Sequence, residues 1–289
     1  MNGFKVFLMM LALMVIFMWV GYAVGGRGGM MLAFLLAGVM NFVSYWYSDK
    51  IVLRMYHARQ ISEADHRRLF QVVKRLSAQA MIPMPKVYIV PNKAPNAFAT
   101  GRNLEHAAVA ATEGLLEILN EDELEGVLGH EIAHIMNKDM LIGTIAATFA
   151  GAIGILASIA RWGAILGGYG RSDDNRGGGI GLLIAAIVAP LMAIIIQMAI
   201  SRQREYRADE QGGRISGKHL ALASALAKLH RSPARRQLSR HRSTANLMIV
   251  NPLSGRGLSS IFSTHPPVEK RIERLEKLAL EAPYQRYAG

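Results

Sequence analysis

The chain has 289 residues, 51% of them apolar, no cysteine and a formal net charge of +12. Without cysteine there are no disulfides and no thiolate metal ligands, so any metal must be held by His, Asp or Glu. The apolar share is high for a soluble protein, and the positive charge then points to a lipid surface rather than to nucleic acid, for which no binding module is visible.

Four apolar runs, at about 4–24, 28–48, 141–160 and 180–200, each approach the ~20 residues that a membrane-spanning helix needs. Lys5 before the first run suggests a signal peptide. The run is long, lacks a small-x-small cleavage site and leads at once into a second span, so an uncleaved anchor is the better reading. Gly25-Gly26-Arg27-Gly28-Gly29 is short enough only for a tight turn, which makes residues 1–48 a transmembrane hairpin. Trp19, Tyr22, Tyr45, Trp46 and Tyr47 stand near span ends, where amphipathic rings favour the interface.

Lys50, Arg54, Arg59, Arg67 and Arg68 follow the second span, and Arg202, Arg204, Arg207, Arg214 and Lys218 follow the fourth. The opposite turns are poorer in cations. The positive-inside rule therefore expects residues 49–140, residues 201–289 and both termini in the cytoplasm, with 141–200 as a second hairpin.

Residues 62–80 read as an amphipathic helix with Ser62 as N-cap, ended by Pro83 and Pro85. Val87–Val90, Asn96–Thr100 and Ala107–Ala111 read as strands of a small sheet. Within the second, Phe98 fits a core position. Equally, Asn96, Ala97, Phe98 and Ala99 fit a sheet edge on which an extended peptide pairs by main-chain hydrogen bonds.

Residues 121–137 read as a helix. Asn120 is the N-cap, Glu123 completes a capping box, and Leu124, Val127, Leu128, Ile132 and Ile135 form an apolar stripe. This helix carries His130-Glu131-Ile132-Ala133-His134. Two histidines four apart project from one helix face and can reach one metal ion, and Glu131 is placed beside the attacking water. The acidic first turn argues against placing this helix within hydrocarbon.

A catalytic zinc usually takes a third protein ligand. The metzincin continuation is absent, because Asn137 and Met140 stand where it needs Gly and His. Asp139, nine residues past His130, falls on the opposite side of a continuous helix. The next acids back on the cytoplasmic side are Glu205 and Asp209, which share a helix face. One can bind metal while the other accepts a hydrogen bond from a ligand histidine. The competing reading is that both merely balance Arg202, Arg204 and Arg207.

His57, His66, His106, His219, His230 and His241 show no partner pattern and read as surface or packing residues. His265 lies in Ser263-Thr264-His265-Pro266-Pro267, and residue chemistry alone leaves its role open. Residues 231–246 form a basic loop, and 266–280 a charged amphipathic helix that packs on the catalytic part.

Taken together, Asn96–Ala99, His130–His134, Glu205–Asp209, Val250-Asn251-Pro252-Leu253-Ser254, Ser263–Pro267 and the order of spans resemble the HtpX family of membrane zinc metalloproteases, relatives of the CAAX prenyl proteases. The resemblance covers essentially the whole chain. It implies a mainly α integral membrane protein, with four transmembrane helices and a cytosolic α+β zinc protease domain of gluzincin type. It also implies an endopeptidase of the cytoplasmic (inner) membrane that degrades misfolded or damaged membrane proteins in stress-linked quality control. One Zn2+ would be bound by His130, His134 and Glu205. Glu131 would be the acid/base, Asp209 the outer partner, Asn96–Ala99 the substrate edge, and His265 a stabiliser of the oxyanion. The expected partners are unfolded or membrane-protein polypeptides and the lipid bilayer; the oligomeric state is left open.

Overall fold

The structure is a computed structural model, described here for residues 2–145, 202–232 and 266–285. The expected span at 180–200, most of the one at 141–160, the linker 161–180, Val250–Ser254, His241 and His265 lie outside the described residues, as does all but the start of the basic loop.

Helix α1 (Asn2–Met55) is one helical tract broken at Gly25 and at Gly26, where φ 57 and ψ −144 are open essentially to glycine alone. Its halves fold back on each other. Asn41 Nδ2 donates to the Met10 carbonyl at 3.0 Å, and a Cβ on Gly21 would come within 2.5 Å of Ala33 Cβ. Gly3–Tyr22 and Gly25–Tyr47 are each long and apolar enough to cross a membrane. The two apolar stretches thus form a helical hairpin, with its turn confined to two residues.

Helix α2 (Arg67–Gln79) starts five residues later than expected, with His66 as its cap. Ser62 cannot cap it, because its N–H and Oγ–H both donate to the Asp65 carboxylate at 2.7 Å and close a separate turn. His66 Nδ1 instead accepts from the Leu69 N–H at 3.2 Å, so this histidine has a structural role that its sequence context did not reveal. The helix ends before Pro83, at Ala80, and Met81 follows at φ 52.

The strands β1 (Arg59–Gln60), β2 (Lys86–Val90), β3 (Ala97–Thr100) and β4 (Ala108–Thr112) form a mixed sheet in the order β1-β2-β4-β3. The β2–β4 pair is parallel, and β1–β2 and β3–β4 are antiparallel. The period of two sorts side chains between two cores. Val87, Ile89, Ala97, Ala99 and Val109 join the helical core. Val90, Phe98, Ala108 and Ala110 pack on Val52 and Leu53 at the end of α1. Because both faces are covered, β3 and β4 are buried at every residue and read as continuous apolar runs.

Helices α3 (Glu113–Ile118) and α4 (Glu121–Met136) follow. The capping box of α4 forms as expected: Glu123 N–H donates to Asn120 Oδ1 at 2.9 Å, and Asn120 N–H to Glu123 Oε2 at 3.0 Å. The buried acids of its first turns are paired, Glu123 with Lys228 and Glu125 with Arg75. Helix α4 packs against α2, β3, α5 (Arg202–Ser216) and α6 (His219–Arg231), and α7 (Val268–Gln285) lies on α5 and α6. Residues 140–145 are helical again and pack through Ile142 and Ile145 on Val6, Met9 and Leu13 of α1.

Candidate metal centre

Residues from three helices and one strand meet at the middle of α4. Helical spacing brings His130 Nε2 and His134 Nε2 to 3.1 Å. Helix α5 places Glu205 against both, with Oε2 at 3.6 Å from His130 Nε2 and Oε1 at 3.6 Å from His134 Nε2. Among the described residues, His130, His134 and Glu205 form a group that could hold a metal ion. The spacing fits: a tetrahedral ion with bonds near 2 Å has ligand atoms about 3.3 Å apart. The close approach of α4 and α5 depends on glycine, since a Cβ on Gly212 would lie 2.6 Å from His130 N and one on Gly129 would lie 2.7 Å from Gly212 O.

The other nitrogen of each histidine faces a carboxylate. His130 Nδ1 is 2.9 Å from Asp209 Oδ1, which gives Asp209 the outer position expected of one of the two α5 acids. Burial alone would favour the neutral ring. The hydrogen bonds to Asp209 and Glu205 outweigh it and push the His130 pKa up to about 9. Burial would likewise raise the Asp209 carboxyl, but Arg271 and His130 hold it below its usual range.

Sequence reasoning missed Arg271. This α7 residue is wholly buried and donates to Asp209 through Nε at 2.8 Å and Nη2 at 2.6 Å. One signal was present: Arg271 shares the helix face of Val268, Ile272 and Leu275, an apolar stripe in which a cation needs a partner.

Asp139 also needs correcting. Its expected place opposite His130 assumes that the helix continues. Instead α4 stops at Met136, Lys138 turns at φ 57, and Asp139 N–H donates back to the His134 carbonyl at 3.0 Å. Asp139 Oδ2 is thereby 3.7 Å from His134 Nδ1, with Arg204 Nη1 4.0 Å from its other oxygen. Asp139 stays outside the ligand triad but stands behind His134.

Glu131 is buried beside the histidines. Burial raises its pKa, opposed by His130, His134 and a hydrogen bond from the Ala99 N–H. That contact defines the edge of β3. Asn96 O accepts from Thr112 N–H at 2.9 Å, and in an antiparallel ladder alternate residues then turn their backbone groups outward. Ala97 and Ala99 accordingly face the free edge, which points at Glu131. Phe98 is a core residue, with its ring centre 4.9 Å from that of Tyr56. Tyr206 lies under Arg274, with the guanidinium 5.0 Å from the ring centre.

Residues 63–279 match the model of "Peptidase family M48". The chain belongs to this family. As an M48 member it is a metallopeptidase, and relatives of high identity carry the name HtpX homolog. It is 54% identical over 275 residues to a protease HtpX homolog of Desulfatibacillum aliphaticivorans, covering 95% of this chain and 89% of the relative. The homolog of Syntrophobacter fumaroxidans is 54% identical over 284 residues, covering 96% and 99%. That of Pyrococcus abyssi is 57% identical over 265 residues, covering 91% of each. The crystal structure of S. mikatae Ste24p superposes with a TM-score of 0.50 at 18% identity, covering 96% of this chain and 63% of that one. This M48 chain therefore spans less than two thirds of Ste24p, and the likeness shows a shared fold.

Proposed function

We propose that this M48 metallopeptidase is a zinc endopeptidase of the inner membrane that cleaves misfolded or damaged membrane proteins at the cytosolic face, as part of stress-linked quality control. The observation that carries the reading is the convergence of His130 Nε2, His134 Nε2 and Glu205 beside a buried Glu131 that the β3 edge touches. A set of two imidazoles and one carboxylate, with no thiolate, suits one zinc ion.

His130, His134 and Glu205 would hold the ion, with Asp209 fixing the His130 ring. When bound, zinc would supply Lewis acidity at this site. A Glu131 carboxylate oxygen takes the proton of the attacking water and later delivers it to the leaving amine; the rise in its pKa suits both duties. The outward N–H and C=O groups of Ala97 and the C=O of Ala99, in the Asn96–Ala99 segment, pair with an extended peptide. His265 or Tyr206 assists at the developing oxyanion.

The α1 hairpin and a second one at 141–200 anchor the enzyme, and residues 49–140 and 201–289 form the two cytosolic catalytic parts. Lys50, Arg54 and Arg59 after the first hairpin support this orientation. A site so near the bilayer meets membrane-proximal segments and unfolded loops first.

The test pairs parent and Glu131→Gln, purified in detergent with chelator and reloaded with zinc. One zinc in each, with cleavage of unfolded casein by the parent alone, is the expected result. Equal cleavage by both would overturn the role of Glu131, and no zinc in either would overturn the site.

A further inference from the structure

The edge strand β3 is fixed at both ends. At its start, Asn96 N–H donates to Thr112 Oγ1 at 2.8 Å and Asn96 O accepts from Thr112 N–H, an attachment within the sheet. At its end the attachments belong to the membrane segments. Thr100 Oγ1 lies 3.0 Å from Thr144 Oγ1. The Thr144 hydroxyl already donates to the Met140 carbonyl at 2.7 Å, so Thr100 is the donor to Thr144, on the helix where the third apolar run begins. Beyond Thr100, Arg102 Nη1 donates to the Trp46 carbonyl at 3.2 Å, and its guanidinium sits 4.8 Å from the centre of the Trp46 ring. Between them Gly101, at φ 141, packs so tightly that a Cβ would lie 2.4 Å from the His106 carbonyl oxygen. Movement at Arg102 therefore passes into β3.

Trp46 stands at the end of the apolar stretch Gly25–Tyr47, where indole rings settle at the headgroup level. An edge strand of four residues, laddered on one side only, has little rigidity of its own. Yet a binding edge must be held to within about 0.5 Å of its working place.

We propose that Arg102 is a positioning residue: by clamping the β3 turn to Trp46 at the end of the second membrane helix, it sets the Ala99 edge against Glu131 and thereby the affinity for an extended polypeptide. The proposal rests on the reading of Asn96–Ala99 as the substrate edge.

The test measures binding rather than turnover, in the full-length, zinc-loaded Glu131→Gln protein, by fluorescence anisotropy of labelled unfolded casein. Arg102→Ala should raise Kd roughly three- to tenfold, with bound zinc and melting temperature as in the Glu131→Gln protein. Arg102→Lys, which keeps a cation over the ring and a donor for the Trp46 carbonyl, should restore most of the affinity. Trp46→Leu should weaken binding alone but add little to Arg102→Ala. An unchanged Kd in Arg102→Ala, or a loss in it that Lys does not restore, overturns the proposal. Cleavage by the parent is scored separately: a parent that binds casein with this Arg102 dependence but does not hydrolyse it would refute the protease mechanism and leave the clamp standing.

Discussion

Arg271 grips Asp209 with two nitrogens, at 2.6 Å and 2.8 Å, from a helix 62 residues further along the chain. Asp209 in turn meets His130 Nδ1 at 2.9 Å. The guanidinium, carboxylate and imidazole form a buried line ending at a nitrogen that faces the proposed zinc. Replacing Arg271 by Leu leaves the buried Asp209 with His130 in place of the bidentate guanidinium, and losing one member of a buried ion pair costs about 3–5 kcal/mol. Arg271→Leu should lower the melting temperature in detergent markedly. Arg271→Lys, which has charge without the fork, should fall between it and the parent. Equal melting of parent and Arg271→Leu would show that the pair contributes nothing net.

The two carboxylates behind the histidines should not weigh equally. Asp209 is within hydrogen-bond distance of His130, whereas Asp139 stands 3.7 Å from His134. Outer partners typically contribute 10–100-fold in metal affinity. In competition with a chelator, Asp209→Asn should lose zinc at the upper end of that range, and Asp139→Asn at or below its lower end. The reverse order would mean that the His134 side governs retention.

Helix contact at the centre should be intolerant of a single methyl. In Gly212→Ala the new Cβ would sit 2.6 Å from His130 N, a backbone atom that cannot move aside cheaply. Overpacking of this kind costs about 1–3 kcal/mol, and here it pushes Glu205 away from the histidines. Zinc binding and thermal stability should fall together. Gly38→Ala, where an added Cβ meets nothing within 4 Å, is the control and should change neither. Zinc binding kept by Gly212→Ala would mean that α5 can shift without losing the site.

Acid should loosen the start of α4. Burial would raise the Glu123 carboxyl, but bonds from Lys228, Ser224 and the Asn120 N–H lower it below its ordinary 4.5. A carboxylate depressed in the folded state adds stability that is complete above its unfolded pKa and is lost as pH falls through the folded value. Below about pH 4.5 the parent should therefore lose stability that Glu123→Gln never had. The two melting curves should converge as pH falls; a gap constant from pH 7 to pH 3 would exclude the ionised form of Glu123 as the source.

Much of the site was legible in the sequence because it depends on local geometry. The Asn120 capping box, the stripe from Leu124 to Ile135 and the pairs His130–His134 and Glu205–Asp209 follow from the turn of an α-helix, which backbone hydrogen bonds fix wherever the helix lies. The Gly25-Gly26 turn was legible for the same reason. Two local turns were not legible: Ser62 lost its capping place to an Asp65 contact, and Asp139 came round to His134 because Lys138 broke the helix. What tertiary structure decided were the encounters between elements. Arg271 found Asp209 only because α7 packs on α5, and Ala99 met Glu131 only because the β3 edge lies over α4. Such pairings join residues far apart in the chain, and they are set by which apolar faces bury one another, a property that no single segment contains.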